Sequence, residues 1–479
     1  MTSRHPSSRR RDRSEGFTLV ELLVTLVIVS LTLGAAITLF NQMNRLSRVQ
    51  LHAAELQQSV RVAQREMGRV IQMAGRGGLA GTNNVGPAYD TPALSIRDNV
   101  GQSARFSERE IAIGTDEPVA VEGTDILTVR GVFDSSIWHL NYTDITKFDP
   151  VAQIVMVGNR TPTGIPQDLG PIKDACDPPD GGAARPEALI LVNSANENSY
   201  AVLELDCSQT DHAAIPDTFD PEAPFQEIAV AYKLPASGGN AVEYQKLSPG
   251  EVLPNLASGT FNPSFLGLLE EYRFYVREQC RAGDGSGDVA CDEAGAIPAH
   301  RLSMARMYPH TETPHAGDDD NLQIDVADSI FDLQLALGFD SSYDGNAAIN
   351  GFFAFDADND PGDGSEGDDD AIVESADGTS DDWMFNATGD AATLDSLPWS
   401  PTGDPLTFTA SQPQPQIYYL RLSTLGFAAR PDNRYSAPVV TGLEDRVYTT
   451  DPDDPLNGTV ARNYRRELIQ TVIDLRNLG

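Results

Sequence analysis

The sequence predicts an α+β chain: one long amino-terminal helix followed by a large β-rich head. Two observations carry this. From residue 17 the apolar positions keep a helical pattern, free of proline, as far as residue 74, and the pattern stops at a glycine cluster at 75–78. Beyond it lie roughly 400 residues in which short β-branched and aromatic runs are separated by connections rich in Gly, Pro, Asp and Asn, without a fixed-period repeat.

The first part of the helix is apolar throughout. Residues 17–40 hold one formal charge, Glu21. A hydrocarbon core about 30 Å thick is crossed by about 20 helical residues, so this run is long enough to span. A carboxylate inside such a run is costly unless a cationic group meets it. Cutting after Gly16 creates one, a new α-amino terminus at Phe17, with Glu21 as the fifth residue. Residues 1–16 carry Arg4, Arg9, Arg10, Arg11 and Arg13 against Asp12 and Glu15, a bias that holds this end in the cytoplasm. A secretory signal peptide is cut after its apolar segment. Here Gly16 precedes it, so a cut there would leave the span on the mature chain.

Past residue 40 the pattern becomes amphipathic. Leu46, Val49, Ala53, Leu56, Val60, Ala63, Met67, Val70 and Ala74 alternate spacings of three and four among Arg, Gln and Glu. The head then offers strands at 126–130, 188–192, 201–205, 228–232, 272–276, 331–337 and 417–422.

Charge narrows the function. Acidic residues number 70 against 34 basic ones, a net charge of −36. Such a surface repels phosphate backbones and anionic lipid, so direct nucleic-acid binding is not expected. No His-Glu-x-x-His, Gly-x-Ser-x-Gly or phosphate-cradling Gly-Lys loop occurs, and the chain is not expected to be an enzyme. His300, His310 and His315 read as parts of a surface loop, with a metal site as the alternative. Trp138, Trp383 and Trp399 read as packing residues.

The four cysteines, Cys176, Cys207, Cys280 and Cys291, fall on the side of the span where disulfides persist. Three pairings are possible. Joining sequence neighbours, Cys176 to Cys207 and Cys280 to Cys291, is the expected one, because the Gly- and Asp-rich stretch between Cys280 and Cys291 suits a clamped loop. The candidate cofactor is Ca²⁺. Asp356, Asp358, Asp360 and Asp363 alternate along a turn-rich tract whose carboxylates could converge on a hard cation. The tract begins like an EF-hand loop, but Pro361 stands where the turn glycine belongs and Gly367 where the bidentate Glu belongs. A looser calcium loop and a solvated acidic loop are the two readings.

The run Gly16-Phe17-Thr18-Leu19-Val20-Glu21 followed by Leu-Leu-Val resembles the cleavage and methylation signature of type IV prepilins and type II secretion pseudopilins. The segments 123–129, 326–335 and 464–478 resemble, in order, parts of one branch, the PilW-like minor pilins. The resemblance implies a type IV pilin-like fold with an enlarged antiparallel β-sheet head, and four regions: a leader at 1–16, a transmembrane half-helix at 17–40, an amphipathic half-helix at 41–75 and a head at 76–479, in two lobes. It implies cleavage between Gly16 and Phe17 by a prepilin peptidase, methylation of Phe17, and an assembly role for Glu21. The implied partners are other minor and major pilins and an inner-membrane assembly platform. The implied location is the inner membrane, single pass with a periplasmic head, then an extracellular fibre or its tip. A tip pseudopilin of a secretion system and a calcium-dependent tip adhesin are the rival readings. The last part of the amphipathic stripe is expected to lie against the head's own sheet; a two-stranded coiled coil is its alternative use.

Overall fold

In the computed structural model the described residues are 18–77, 93–97, 120–140, 148–149, 152–178, 187–193, 199–233, 245–246, 263–282, 288–289, 291, 296–308, 313–314, 323–339, 383–384, 417–428, 430, 432, 435–444, 446–451, 456–458 and 461–475. They form an α+β, type IV pilin-like fold: a long amino-terminal helix and a large antiparallel β-sheet head.

Helix α1 is Leu19–Ile71. It ends three residues before the expected residue 74, in turns through Gly77, where Gly75 (φ 74°) and Gly77 (φ 103°) take the left-handed backbone that stops a helix. The chain then docks on the sheet: Gly75 N–H donates to Arg130 O (3.0 Å) and Val132 N–H to Arg76 O (2.8 Å). The protein forms two compact units, one up to Glu55 and one from Leu56 onward. The division falls inside α1, so residues 56–71 of the helix belong with the head.

The main strands are β1 (Leu94–Arg97), β2 (Ile126–Gly131), β3 (Ile154–Gly158), β4 (Ala188–Asn193), β5 (Ser199–Leu205), β6 (Glu227–Lys233), β7 (Phe265–Arg277), β8 (Arg301–Tyr308), β9 (Gln323–Asp328), β10 (Ile330–Phe339), β11 (Ile417–Phe427) and β12 (Arg466–Asp474). The larger sheet runs β1-β2-β7-β4-β5-β6-β3, with β8 on β7 and β9 on β8. Strand β7 organises it, pairing with β4 through Phe265–Leu269, β2 through Glu270–Phe274 and β8 through Glu271–Arg277. The second sheet contains β10-β11-β12, with β11 and β12 in unbroken antiparallel register from Tyr419↔Asp474 to Phe427↔Arg466.

The period of two along the strands splits the core. Ile190, Tyr200, Val202 and Leu269 enter one cluster, which also takes Leu56, Val60, Ala63, Met67, Val70, Ile71 and Ala74 from α1. Their neighbours Leu189, Leu191, Ala201, Leu203, Leu266 and Leu268 enter a second cluster with Trp138 and the short helix α2 (Gly170–Cys176). Strands β4 and β5 are therefore buried on both faces, which is why they read as nearly continuous apolar runs. Side chains on β10, β11 and β12, among them Leu333, Leu335, Leu420, Leu422 and Ile473, close the first cluster. Gly426 on β11 permits this closure, because a Cβ there would stand 2.7 Å from both Leu56 Cδ1 and Val60 Cγ2.

Candidate assembly segment and its anchorage in the head

The first turn of α1 is closed by a capping box. Thr18 O accepts the first helical bond from Leu22 N–H (3.2 Å), which makes Thr18 the N-cap residue. Its hydroxyl accepts from Glu21 N–H (3.2 Å), and Glu21 Oε2 accepts in return from Thr18 N–H (3.1 Å) and the Thr18 hydroxyl (2.9 Å). The Thr-x-x-Glu spacing is the signal of this motif. It adds a role for Glu21 that the charge argument passed over. Gly16 and Phe17 lie outside the described residues.

From Leu19 to Phe40 every residue is exposed, apolar ones included. The hydroxyls within this run are satisfied by their own helix: Thr25 donates to Glu21 O (2.7 Å), Ser30 to Val27 O (2.8 Å), Thr32 to Val29 O (2.9 Å) and Thr38 to Gly34 O (2.9 Å). Internal satisfaction of every polar group is what a lipid-facing helix requires. Length and composition suit a membrane span.

From Leu56 on, the same helix is held by the head. Gln64, 8% exposed, donates through Nε2 to Ile469 O (2.7 Å) and accepts through Oε1 from the Thr471 hydroxyl (2.7 Å). Ser59 donates to Asp328 O, and Gln57 Nε2 donates to Glu467 Oε1 (3.3 Å). The apolar stripe identified Leu56, Val60, Ala63, Met67, Val70 and Ala74. It missed Gln64, a buried polar pin whose partners lie about 400 positions away.

Buried charge fixes the sheets. Glu271, fully buried, accepts from Arg130 Nε (2.6 Å) and Arg273 Nε (2.7 Å). Burial opposes its ionisation, yet the two guanidiniums hold the carboxyl below its usual range. Glu270 accepts from Phe133 N–H (3.1 Å) and Asp134 N–H (2.8 Å) and pairs with Arg306 (2.7 Å); burial pushes it up to about 7 against that pull. Asp125 Oδ2 accepts from Leu335 N–H (2.7 Å), tying the start of β2 to β10. Asp332, also fully buried, accepts from Arg446 Nη1 (2.8 Å), the Tyr448 hydroxyl and Gln334 Nε2 (3.0 Å).

His300 corrects the surface-loop expectation. It is 8% exposed, its ring lies 5.9 Å from that of Phe331, and its Nδ1 accepts from Gln279 N–H (3.2 Å). Burial and then the nearby Arg446 push its pKa down to about 4. Proximity to the start of β8 buries it, which its polar sequence neighbours did not signal. His310 and His315 lie outside the described residues.

Two disulfides clamp the head. Cys176, at the end of α2, joins Cys207, just after β5, and Cys280 joins Cys291; both have Cα–Cα distances of 5.1 Å. Trp138 is fully buried, with its indole N–H on Asp168 O (2.6 Å). Trp399 and the tract with Asp356, Asp358, Asp360 and Asp363 lie outside the described residues, as does the side chain of Trp383. Among the described residues no group of three or more His, Cys, Asp or Glu is placed to hold a metal ion.

Residues 11–37 match the family model of the prokaryotic N-terminal methylation motif. No curated protein and no solved structure matches the chain. The matched segment covers Arg11 and Arg13 of the basic stretch, Gly16, the capping box and most of the apolar run. It supports a type IV pilin-like protein: a structural subunit rather than an enzyme, processed by a prepilin peptidase, anchored in a membrane and assembled with other pilins.

Proposed function

We propose that this chain is a minor pilin of the PilW-like kind, a subunit of a tip complex that primes type IV pilus assembly and supports adhesion or motility. The observation that carries the reading is the methylation motif at 11–37 on an exposed apolar helix whose continuation is locked into a large head. Residues 17–74 contain no proline, whereas abundant major pilins of Gram-negative fibres usually carry one in mid-helix. A head of this size is also awkward to repeat along a thin fibre. In this reading the head is periplasmic before assembly, Glu21 offers its carboxylate to the amino terminus of a subunit, and the inner-membrane platform and its ATPases supply the work of assembly.

The test is processing followed by localisation. The mature chain should begin at a methylated Phe17, and Gly16→Arg should leave uncut precursor in the inner membrane. Wild-type protein should appear in sheared surface fibres at low copy, and its deletion should abolish or sharply reduce piliation. A mature terminus at Met1 overturns the pilin-type reading. Normal piliation with a lost secretion phenotype moves the chain to the type II secretion pseudopilins.

We further propose that Asp356, Asp358, Asp360 and Asp363 form a calcium loop, which would suit a tip adhesin. Binding to the native state alone raises the melting temperature. Millimolar Ca²⁺ should raise that of the full chain, and the Asp356→Ala, Asp358→Ala double variant should lose the rise. An equal shift in both proteins, or none in the wild type, leaves a solvated acidic loop.

A further inference from the structure

Acids outnumber bases about two to one in this chain, yet the face of α1 turned away from the core carries a row of arginines. Arg61, Arg65 and Arg69 follow one another at four-residue spacing, and all three are exposed. Residues so spaced are neighbours on a helix, so like charges there repel. Arg69 has a counter-charge on its own helix, Glu66 at 2.5 Å. Arg61 and Arg65 have no ion pair or hydrogen bond among the described residues. Val62 borders the row and is 44% exposed.

We propose that this row is a docking surface for a helix of a neighbouring, different pilin-type subunit that carries acidic residues at the same spacing and an apolar side chain to meet Val62. Charge complementarity selects this occupant. A second copy of this helix is a poor match, because its acids in this half are Glu55 and Glu66, eleven positions apart, and its own arginines would oppose the row. Exposed ion pairs contribute little singly. Two in line, made by Arg61 and Arg65, with an apolar contact beside them, fix register and exclude wrong neighbours more than they add affinity. The choice of a subunit helix rests on the pilin-type reading; the row itself does not.

The test uses the full chain in uncharged maltoside micelles and two synthetic helical peptides of identical composition. One carries Glu at four-residue spacing beside a Leu; the other spreads the same residues around the helix. Fluorescence anisotropy at about 20 mM salt should give at least tenfold tighter binding of the first peptide, a preference lost at about 0.3 M salt, where charges are screened beyond a few ångströms. The Arg61→Gln, Arg65→Gln variant should lose the preference with an unchanged melting temperature. Arg61→Lys, Arg65→Lys should keep most of it, and Val62→Ser should weaken it. Equal binding of the two peptides, or an unaltered preference in the Gln variant, overturns the proposal. So does selective binding of phosphatidylglycerol vesicles by the wild type over the Gln variant without peptide discrimination, since the row would then serve lipid. Processing at Gly16 does not enter this assay, so its failure is distinguishable from failure of the pilin reading.

Discussion

Between Leu19 and Phe40 α1 turns apolar side chains in every direction, whereas between Leu56 and Ile71 it buries one stripe and leaves Arg61, Arg65 and Arg69 in water. Both stretches belong to one unbroken helix. The first satisfies its polar groups locally, through the Thr18–Glu21 box and hydroxyls bonded one turn back. The second satisfies them at long range, through Gln64 on β12 and Ser59 on Asp328. A helix that is apolar all round needs an apolar environment from outside, a bilayer or other subunits. A helix with one apolar stripe needs a core of its own. The contrast teaches that the two halves obey different solvents, and that substitutions in them should register in different assays.

The largest expected contrast comes from truncating one apolar side chain in each half. Met67 is fully buried in the cluster under the sheet, and Met67→Ala should destabilise the head by about 2–5 kcal/mol, the transfer loss plus the cavity left behind. Leu31 is 69% exposed, and Leu31→Ala should leave the melting of the head unchanged. Thermal melts of the full chain in micelles, followed by near-ultraviolet circular dichroism, check both. Equal shifts would mean that the two halves share one core, which breaks the comparison.

Much of this division was legible in the chain. The apolar run, the basic leader and the seven expected strands were marked by composition and period alone, and each of those strands is part of an observed one. The sequence marks strand β7 only from Tyr272, because Gly267, Glu270 and Glu271 break the pattern of a buried strand. Their presence makes sense only in three dimensions, where Glu271 meets Arg130 across β2 and Glu270 meets Arg306 on β8. Strand β8 carries a weak sequence signal for the same reason, with Arg301 and Arg306 interrupting it. Strand β3, Ile-Val-Met-Val-Gly, carried an ordinary strand signal and could have been read. Gln64 could not: nothing in a helical period distinguishes a polar residue facing solvent from one facing a carbonyl on a distant strand. The capping box, by contrast, was written locally in Thr18 and Glu21.

Acid should sharpen the contrast by acting on the head through His300. Its folded pKa is about 4 against 6.5 for the free side chain, so the unfolded chain binds this proton first. Its contribution to stability is complete above pH 6.5 and falls as the pH drops towards 4, by about 3 kcal/mol in all. Glu270 works the other way. Its carboxyl is raised to about 7, so its contribution is complete below pH 4.5 and is lost as the pH rises through 7. His300→Gln keeps an acceptor for Gln279 N–H and cannot be protonated. Its stability should fall less steeply than that of the wild type between pH 6.5 and 4 in denaturant titrations. Parallel slopes would mean that the imidazole is not held neutral in the head.

The smallest expected effect lies at the start of the helix, where it separates two roles of one carboxylate. Thr18→Ala removes the hydroxyl that caps Glu21 N–H, and loss of such a cap costs about 1 kcal/mol. Amide exchange of the first turn in micelles should quicken by a factor of about five, while the Met67 end of the helix stays unchanged. Glu21→Gln keeps the capping geometry, since Gln serves this position as Glu does. It removes only the charge. Glu21→Ala removes both. If Glu21 serves assembly by meeting the amino terminus of a subunit, Gln and Ala variants should be excluded alike from sheared fibres, though only Ala frays the helix. If Glu21 serves by starting the helix, Gln should enter fibres as the wild type does and Ala should not. The proposed charge role requires the first outcome; the second would reduce Glu21 to the N3 residue of a capping box, a local device in the half of α1 that otherwise depends on its surroundings.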